Sequence, residues 1–327
     1  MKQRFSALAG AGIALLAATV MTAPAALAQA YPDGKTVRVQ LGFPAGGGAD
    51  ILARWYADKL SKALGGNFIV ENKVGASGNI ALDATAKARP DGLTVLLAST
   101  VTTAGNASVF KNMPMDVRKD IVPVVSFAET PFVLCVAPDS PINSVPELTA
   151  FIKSKNGKAT YGSATTSALA STALYLRAAG VEATHVGYKA TSAAIQDVTG
   201  KQIDFAFADV VFAVGQANQG RVKMIAITSD ERSPALPNVP PLKDYGAATG
   251  DITALWGLWV PAGTPKEIQD RLGKAMADIT ASEEGQKFII SQGGTPRLLR
   301  QDDYKARFET ALKAWAEAVK LANIEAQ

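Results

Sequence analysis

The chain has very little of what most metal and nucleophilic chemistry needs: its 327 residues include one cysteine, Cys135, and one histidine, His185. A lone cysteine forms no internal disulfide, and in the apolar run Phe132-Val-Leu-Cys-Val-Ala137 it reads as a buried strand thiol. One histidine is too few for most zinc sites and for most Ser-His or Cys-His arrangements. It also falls in a strand pattern, away from any obvious serine, and no G-x-S-x-G motif occurs. Basic runs never exceed a pair of Lys or Arg, so the clustered cationic face of a nucleic-acid binder is missing and no such partner is expected. No metal, cofactor or enzymatic activity is expected, and a secreted hydrolase is the least favoured alternative.

The first thirty residues are a compositional block of their own. Lys2 and Arg4 precede an apolar run from Ala7 to Val20, and Ala26-Leu27-Ala28 supplies small residues for cleavage. This is the pattern of a secretory signal peptide over residues 1–30, cut near Ala28 or Ala30, and it implies a periplasmic location. The run is short for a spanning helix, Pro24 breaks the stretch beyond it, and no cysteine near the cut offers a lipid anchor. Removal takes two positive charges from a formal +4, so the remainder is nearly neutral. With 48% hydrophobic residues, a chain of this length is expected to bury two α/β cores.

Apolar β-type runs at 36–42, 68–71 and 94–98 alternate with helical patterns at 51–64 and 80–88. That alternation predicts a mostly parallel sheet with helices on both faces. A second unit repeats it: strands at 132–137, 159–162, 184–186 and 203–208, with helices at 145–155 behind a Ser144 cap, 167–180 and 191–199. Strands at 222–228 and 256–260 and helices at 266–279 and 302–326 complete the chain, with Pro234 to Pro241 as an ordered loop. The middle block reads as an insertion, so residues 31–128 with 230–327 form one lobe and 129–229 the other. The chain is expected to cross near 126–131 and again near 226–232, making a two-crossing hinge with a cleft between lobes.

Two strand-to-helix turns carry the candidate chemistry. The first contains Gly46-Gly47-Gly48, whose bare backbone and adjoining helix start offer N–H donors and a positive dipole end to an anion. Neither G-x-G-x-x-G nor G-x-x-x-x-G-K-[ST] is present, which argues against a nucleotide. A β-branched residue at Gly47 is expected to strain this turn. The second turn, Tyr161 to Ala168, offers the hydroxyls of Ser163, Thr165, Thr166 and Ser167. Each alone suits an N-cap, and together they suit the second jaw of a carboxylate site.

The chain resembles the Bug-type receptors of tripartite tricarboxylate transporters, which are periplasmic solute-binding proteins. The resemblance rests on Tyr31-Pro32, Phe43-Pro-Ala-Gly-Gly-Gly-Ala-Asp50, Val70-Glu-Asn-Lys-Val-Gly-Ala-Ser-Gly-Asn79 and Pro90-Asp-Gly-Leu-Thr94. Tyr161-Gly-Ser163, His185-Val-Gly-Tyr-Lys189, Gly200-Lys-Gln-Ile-Asp204, Gly220-Arg-Val-Lys223 and Pro261-Ala-Gly-Thr-Pro265 come after them in the same order. It implies a two-lobed Venus-flytrap fold of the type II-like periplasmic-binding kind. The implied activity is capture of a small carboxylated solute, without chemistry, and delivery to the membrane subunits of a tripartite tricarboxylate transporter.

Carried over by position, the implied ligand contacts are Phe43, Pro44, Gly46, Gly47, Gly48, Ala49 and Asp50 in the first lobe and Ser163, Ala164, Thr165, Thr166 and Ser167 in the second. Asp50 has the wrong charge for an anion site, so its carboxylate is assigned to capping a helix at Ile51. Asp209 matches an acidic position facing the cleft, and Ser99, Thr100 and Thr102 suit the distal end of the solute. Tyr188 and Lys189 offer a phenol and an ammonium, although Ala190 stands where the family usually has glycine. Ala164, Thr166 and Ala168 also replace common glycines, which favours a monocarboxylate or an aromatic acid over a small tricarboxylate. Phe43, Phe127 and Phe207 are the aromatic candidates, the last two better suited to the core. The partner set is thus a di- or tricarboxylate, a monocarboxylate or an aromatic acid, together with the transporter's membrane subunits, for a monomeric receptor. A sensor presenting its ligand to a signalling receptor is the alternative output.

Overall fold

Alternating apolar residues bury one face of the first strand: in β1 (Thr36–Leu41), Val37, Val39 and Leu41 are fully buried. In α1 (Gly48–Leu64), Leu52, Tyr56 and Leu60 recur at helical spacing and are buried in the same core. The structure, a computed structural model, describes residues 31–229, 232–233, 235–246, 253–321 and 324. The expected signal peptide lies outside the described residues. β2 (Asn67–Asn72), α2 (Asn79–Ala86) and β3 (Thr94–Ser99) continue the alternation, and a π-helical turn at Val101–Gly105 leads into α3 (Asn106–Val109).

β4 (Ile121–Thr130) ends this block, and a single residue, Pro131, joins it to β5 (Phe132–Val136) of a second sheet. There α4 (Val145–Ser154), β6 (Thr160–Ser163), α5 (Thr166–Ala179), β7 (Thr184–Gly187), α6 (Thr191–Thr199), β8 (Phe205–Asp209), α7 (Val210–Asn218) and β9 (Lys223–Ile227) come in turn. Ser144 caps α4 as predicted, accepting from Glu147 N. The chain then rejoins the first sheet through β10 (Ala254–Pro261), α8 (Lys266–Ala281), α9 (Glu283–Ser291), β11 (Thr295–Pro296) and α10 (Gln301–Leu321). The predicted helix end at Ala326 is outside the described residues.

Strand order is β11-β4-β10-β3-β1-β2 in the first sheet and β7-β6-β8-β5-β9 in the second. The sheets are mixed, not mostly parallel. β1 runs parallel to β2 and β3, and β6 to β7 and β8, but β10 is antiparallel to β3 and β4, and β5 to β8 and β9. A strand buried on both faces is a continuous apolar run whichever way it points, so direction leaves no trace in the pattern.

The second passage between sheets also differs from the expected 226–232. Ile227 N donates to Pro240 O at 2.9 Å and Ile227 bridges Pro241, so the proline-rich segment folds back along β9. A 3₁₀ turn at Leu242–Tyr245, with Leu242 fully buried, extends this return before the chain reaches β10. Two further elements carried no usable sequence signal. Pro123 interrupts the strand pattern of β4, and α7 is apolar and rich in valine, which favours a strand reading.

Candidate ligand site between the lobes

The first turn is shaped by backbone needs. Gly42 passes so close to Gly78 that a Cβ on it would stand 2.6 Å from the Gly78 Cα, and Gly46 has φ of +80°. Gly47 has an ordinary φ of −82° and room for a Cβ, so, against expectation, its backbone does not require glycine. α1 starts at Gly48, with Gly47 as its N-cap and no side-chain cap, three residues before the expected Ile51. The first intrahelical bond is Ile51 N to Gly47 O, which leaves the Gly48 and Ala49 amides of the first turn without intrahelical partners.

Asp50 does not cap the helix and does not line the cleft. It is buried inside the turn, where Oδ2 accepts from Gly46 N (2.9 Å) and Arg54 Nε (2.8 Å) and Oδ1 accepts from Asn72 Nδ2 (2.9 Å). Asn72 also donates to Phe43 O at 2.9 Å, so one carboxylate and one amide hold the whole loop. Burial opposes ionisation of Asp50, but the hydrogen bonds from Arg54, Gly46 and Asn72 outweigh it and hold the carboxyl below its usual range.

Opposite stands the second turn. Thr165 is the N-cap of α5, accepting from Ala168 N at 3.2 Å, and its hydroxyl lies 2.9 Å from Ser167 Oγ. Thr166 Oγ1 donates to Asn106 Oδ1 across the lobes at 3.2 Å. Ser163 is turned away: its Oγ lies 2.7 Å from His185 Nε2, on neighbouring strands β6 and β7. The expectation that His185 has no serine beside it is therefore corrected. Ser163 is nevertheless buried and touches neither cleft cavity, so the pair ties two strands together. Burial holds the His185 pKa below its ordinary value.

Between the turns lie an inner cavity of about 70 Å³ and an outer one of about 480 Å³. Of the expected residues, Phe43, Pro44, Gly47, Gly48, Ala49, Ser99, Thr165, Ser167 and Asp209 line the inner cavity. Thr102, Ala164, Thr166 and Tyr188 line the outer one, which shares Phe43, Pro44 and Thr165. Gly46, Asp50, Thr100 and Ser163 line neither. Thr100 Oγ1 bonds Thr253 O and Leu255 N, fixing β3 to β10, and the Tyr188 phenol donates to Asp197 at 2.6 Å. Ser99 Oγ and Thr102 Oγ1 are buried and make no hydrogen bond among the described residues.

Asp209 caps α7 through Phe212 N at 2.9 Å and faces the first lobe at Gly48. A Cβ on Gly48 would stand 2.0 Å from Asp209 Oδ1, so the missing side chain permits this approach. Burial pushes the Asp209 pKa up to about 6, against the lowering effect of its backbone hydrogen bonds.

Sequence reading missed Phe132, Phe212 and Trp256 in the cavity wall. The pairing explains them: Phe132 is opposite Asp209 and Trp256 opposite Ser99, while Phe212 sits one helical turn beyond Asp209. Phe132 and Trp256 lie close to the points where the chain changes sheet, whereas Phe212, inside α7 of the second lobe, carried no such signal. Phe127 and Phe207 are core residues, as expected.

Two mixed α/β lobes closing on a cavity beside the N-termini of α1 and α5 are the architecture of a periplasmic binding protein. The structure of the periplasmic binding protein BugD aligns with a TM-score of 0.82 and 29% identity over 90% of this chain and 99% of that one. The R. palustris protein Rpa4515 with adipate aligns with a TM-score of 0.85 and 27% identity, over 89% of this chain and 98% of that one. Protein BugT of Bordetella pertussis is 28% identical over 94% of this chain and 95% of its own length. The profile of the family described as "Tripartite tricarboxylate transporter family receptor" matches residues 52–323, and the chain belongs to that family.

Proposed function

We propose that this protein captures a small carboxylate-bearing solute between its lobes in the periplasm, after removal of residues 1–30, and delivers it to the membrane subunits of a tripartite tricarboxylate transporter. The observation that carries this reading is the bare N-terminus of α1: Gly47, Gly48 and Ala49 line the inner cavity, and no side chain caps them. Thr165 and Ser167 line the same cavity from the other lobe, and Ser99 Oγ lies at it without a partner among the described residues. The adipate in the Rpa4515 structure supports a carboxylate as cargo. The working lobes are the sheet of β1–β4, β10 and β11 with its helices and the sheet of β5–β9 with its helices, joined directly at Pro131. A solute that meets both turns favours the closed arrangement, because only closure makes both contact sets.

A thermal-shift screen of the mature protein against mono-, di- and tricarboxylates and amino acids tests this. A ligand that binds only the folded state raises Tm, and at a hundredfold excess over Kd it contributes about 2.7 kcal/mol. A reproducible rise with carboxylates alone is expected. No rise with any carboxylate, in folded protein freed of co-purified solute, contradicts the reading.

A further inference from the structure

The capture reading leaves several carboxylate classes open, and the inner wall of the cavity separates them. Phe43 of the first turn, Phe132 of β5, Phe212 of α7 and Trp256 of β10 bring four rings to it from four different segments. The indole N–H of Trp256 is held by Thr130 Oγ1 at 2.8 Å, so that ring offers the cavity only apolar surface. Phe43 and Trp256 meet at 59° with centroids 5.9 Å apart, a corner that takes the edge or face of a third ring. The inner cavity of about 70 Å³ has room for about five waters, roughly the bulk of one six-membered ring.

Charge points the same way. Among the described residues, neither Lys nor Arg lines the inner cavity, and Asp209 is the one ionisable side chain that does. Positive character in the lining comes from helix ends: the N-termini of α1, α5 and α6 reach it, each with roughly half a positive charge, which together fall short of the two charges of a diacid. Asp209, which abuts Gly48, opposes every carboxylate bound here, and each further carboxylate adds to that cost with no lining cation to offset it. Lys189 lines only the outer cavity, where it is exposed.

We propose that the cargo is a monocarboxylate whose body is an apolar ring, held with its carboxylate at Gly48, Ala49 and Ser99 and its ring against Phe43 and Trp256. This rests on the capture reading and deepens it. The rival is a linear dicarboxylate, with one carboxylate at α1 and the other beside Lys189.

Calorimetric titration of the mature protein with benzoate, adipate and malate at neutral pH separates the two. Benzoate is expected to bind about tenfold or more tightly than either diacid, the scale of one well-placed aromatic contact. Adipate or malate binding as tightly as benzoate overturns the ring assignment while leaving carboxylate capture intact. Binding of none of these or of any other carboxylate overturns both. Two variants give independent readouts. Phe43→Leu keeps apolar bulk and is expected to weaken benzoate several-fold and the diacids less; an equal loss for all three, or no loss for benzoate, contradicts the ring assignment. Asp209→Asn keeps a cap-forming side chain and is expected to narrow the gap between benzoate and adipate; an unchanged ratio contradicts the charge argument.

Discussion

At Gly48 the absent side chain decides how closely the lobes approach. A Cβ there would collide with Asp209 Oδ1 at 2.0 Å and with Val211 Cβ at 2.8 Å, although alanine suits a helix first turn. Gly48→Ala is therefore expected to fold normally and to lose about tenfold or more in affinity for whichever carboxylate the wild type binds, measured by calorimetry. Gly47→Ala, with its ordinary φ and open space, should keep the wild-type stability in denaturant titration. Asp209 gives a pH-dependent test. Its folded pKa of about 6 exceeds the ordinary 3.8, so the folded state bears the cost of ionisation above pH 6 and sheds it as the pH falls towards 4. The groups about it are the Cys135 thiol on β5, kept neutral by burial, and the amides of α1 and α7. Asp209→Asn should thus stabilise the unliganded protein by about 1–3 kcal/mol at neutral pH, with the gain vanishing near pH 4. A gain independent of pH would contradict it. Residue types were legible in the sequence at this scale, but side-chain directions were not: Asp50 has the right chemistry but bonds its own loop, and Thr100, Ser163 and Tyr188 bond neighbouring segments instead.

Elements were the most legible level, because their signals are local. The periodicity of Leu52, Tyr56 and Leu60, the Ser144 cap and the run 191–199 fixed their helices within a few residues. β4 and α7 escaped because Pro123 and a valine-rich helix each contradict their own element, and tertiary packing overrides them. The cap of α5 yields a prediction at this scale. Thr165→Ala removes the acceptor for Ala168 N and the contact with Ser167 Oγ, which should lower stability by about 1 kcal/mol in denaturant titration. Carboxylate affinity should fall with it, since the turn is then less rigid. Asp50→Ala should cost more, about 1–3 kcal/mol in denaturant titration, because it leaves Asn72 and Gly46 N without their shared acceptor, while the half-exposed Arg54 is re-solvated.

For the whole molecule, the order of motifs carried the two-lobed architecture and the family, because a recurring strand-turn-helix pattern implies stacked α/β layers whatever the strand directions. Strand direction and the fold-back at Pro240 depend on long-range pairing, which no local pattern encodes. The central claim is that a carboxylate is held between the N-terminus of α1 and the Thr165 turn. Amide chemical shifts of the isotope-labelled mature protein, tracked during titration with a carboxylate that raises Tm, test it most directly. The Gly48, Ala49 and Thr165–Ser167 amides are expected to move together along one binding curve. Movement in one turn alone, or only at sites remote from both, would contradict it.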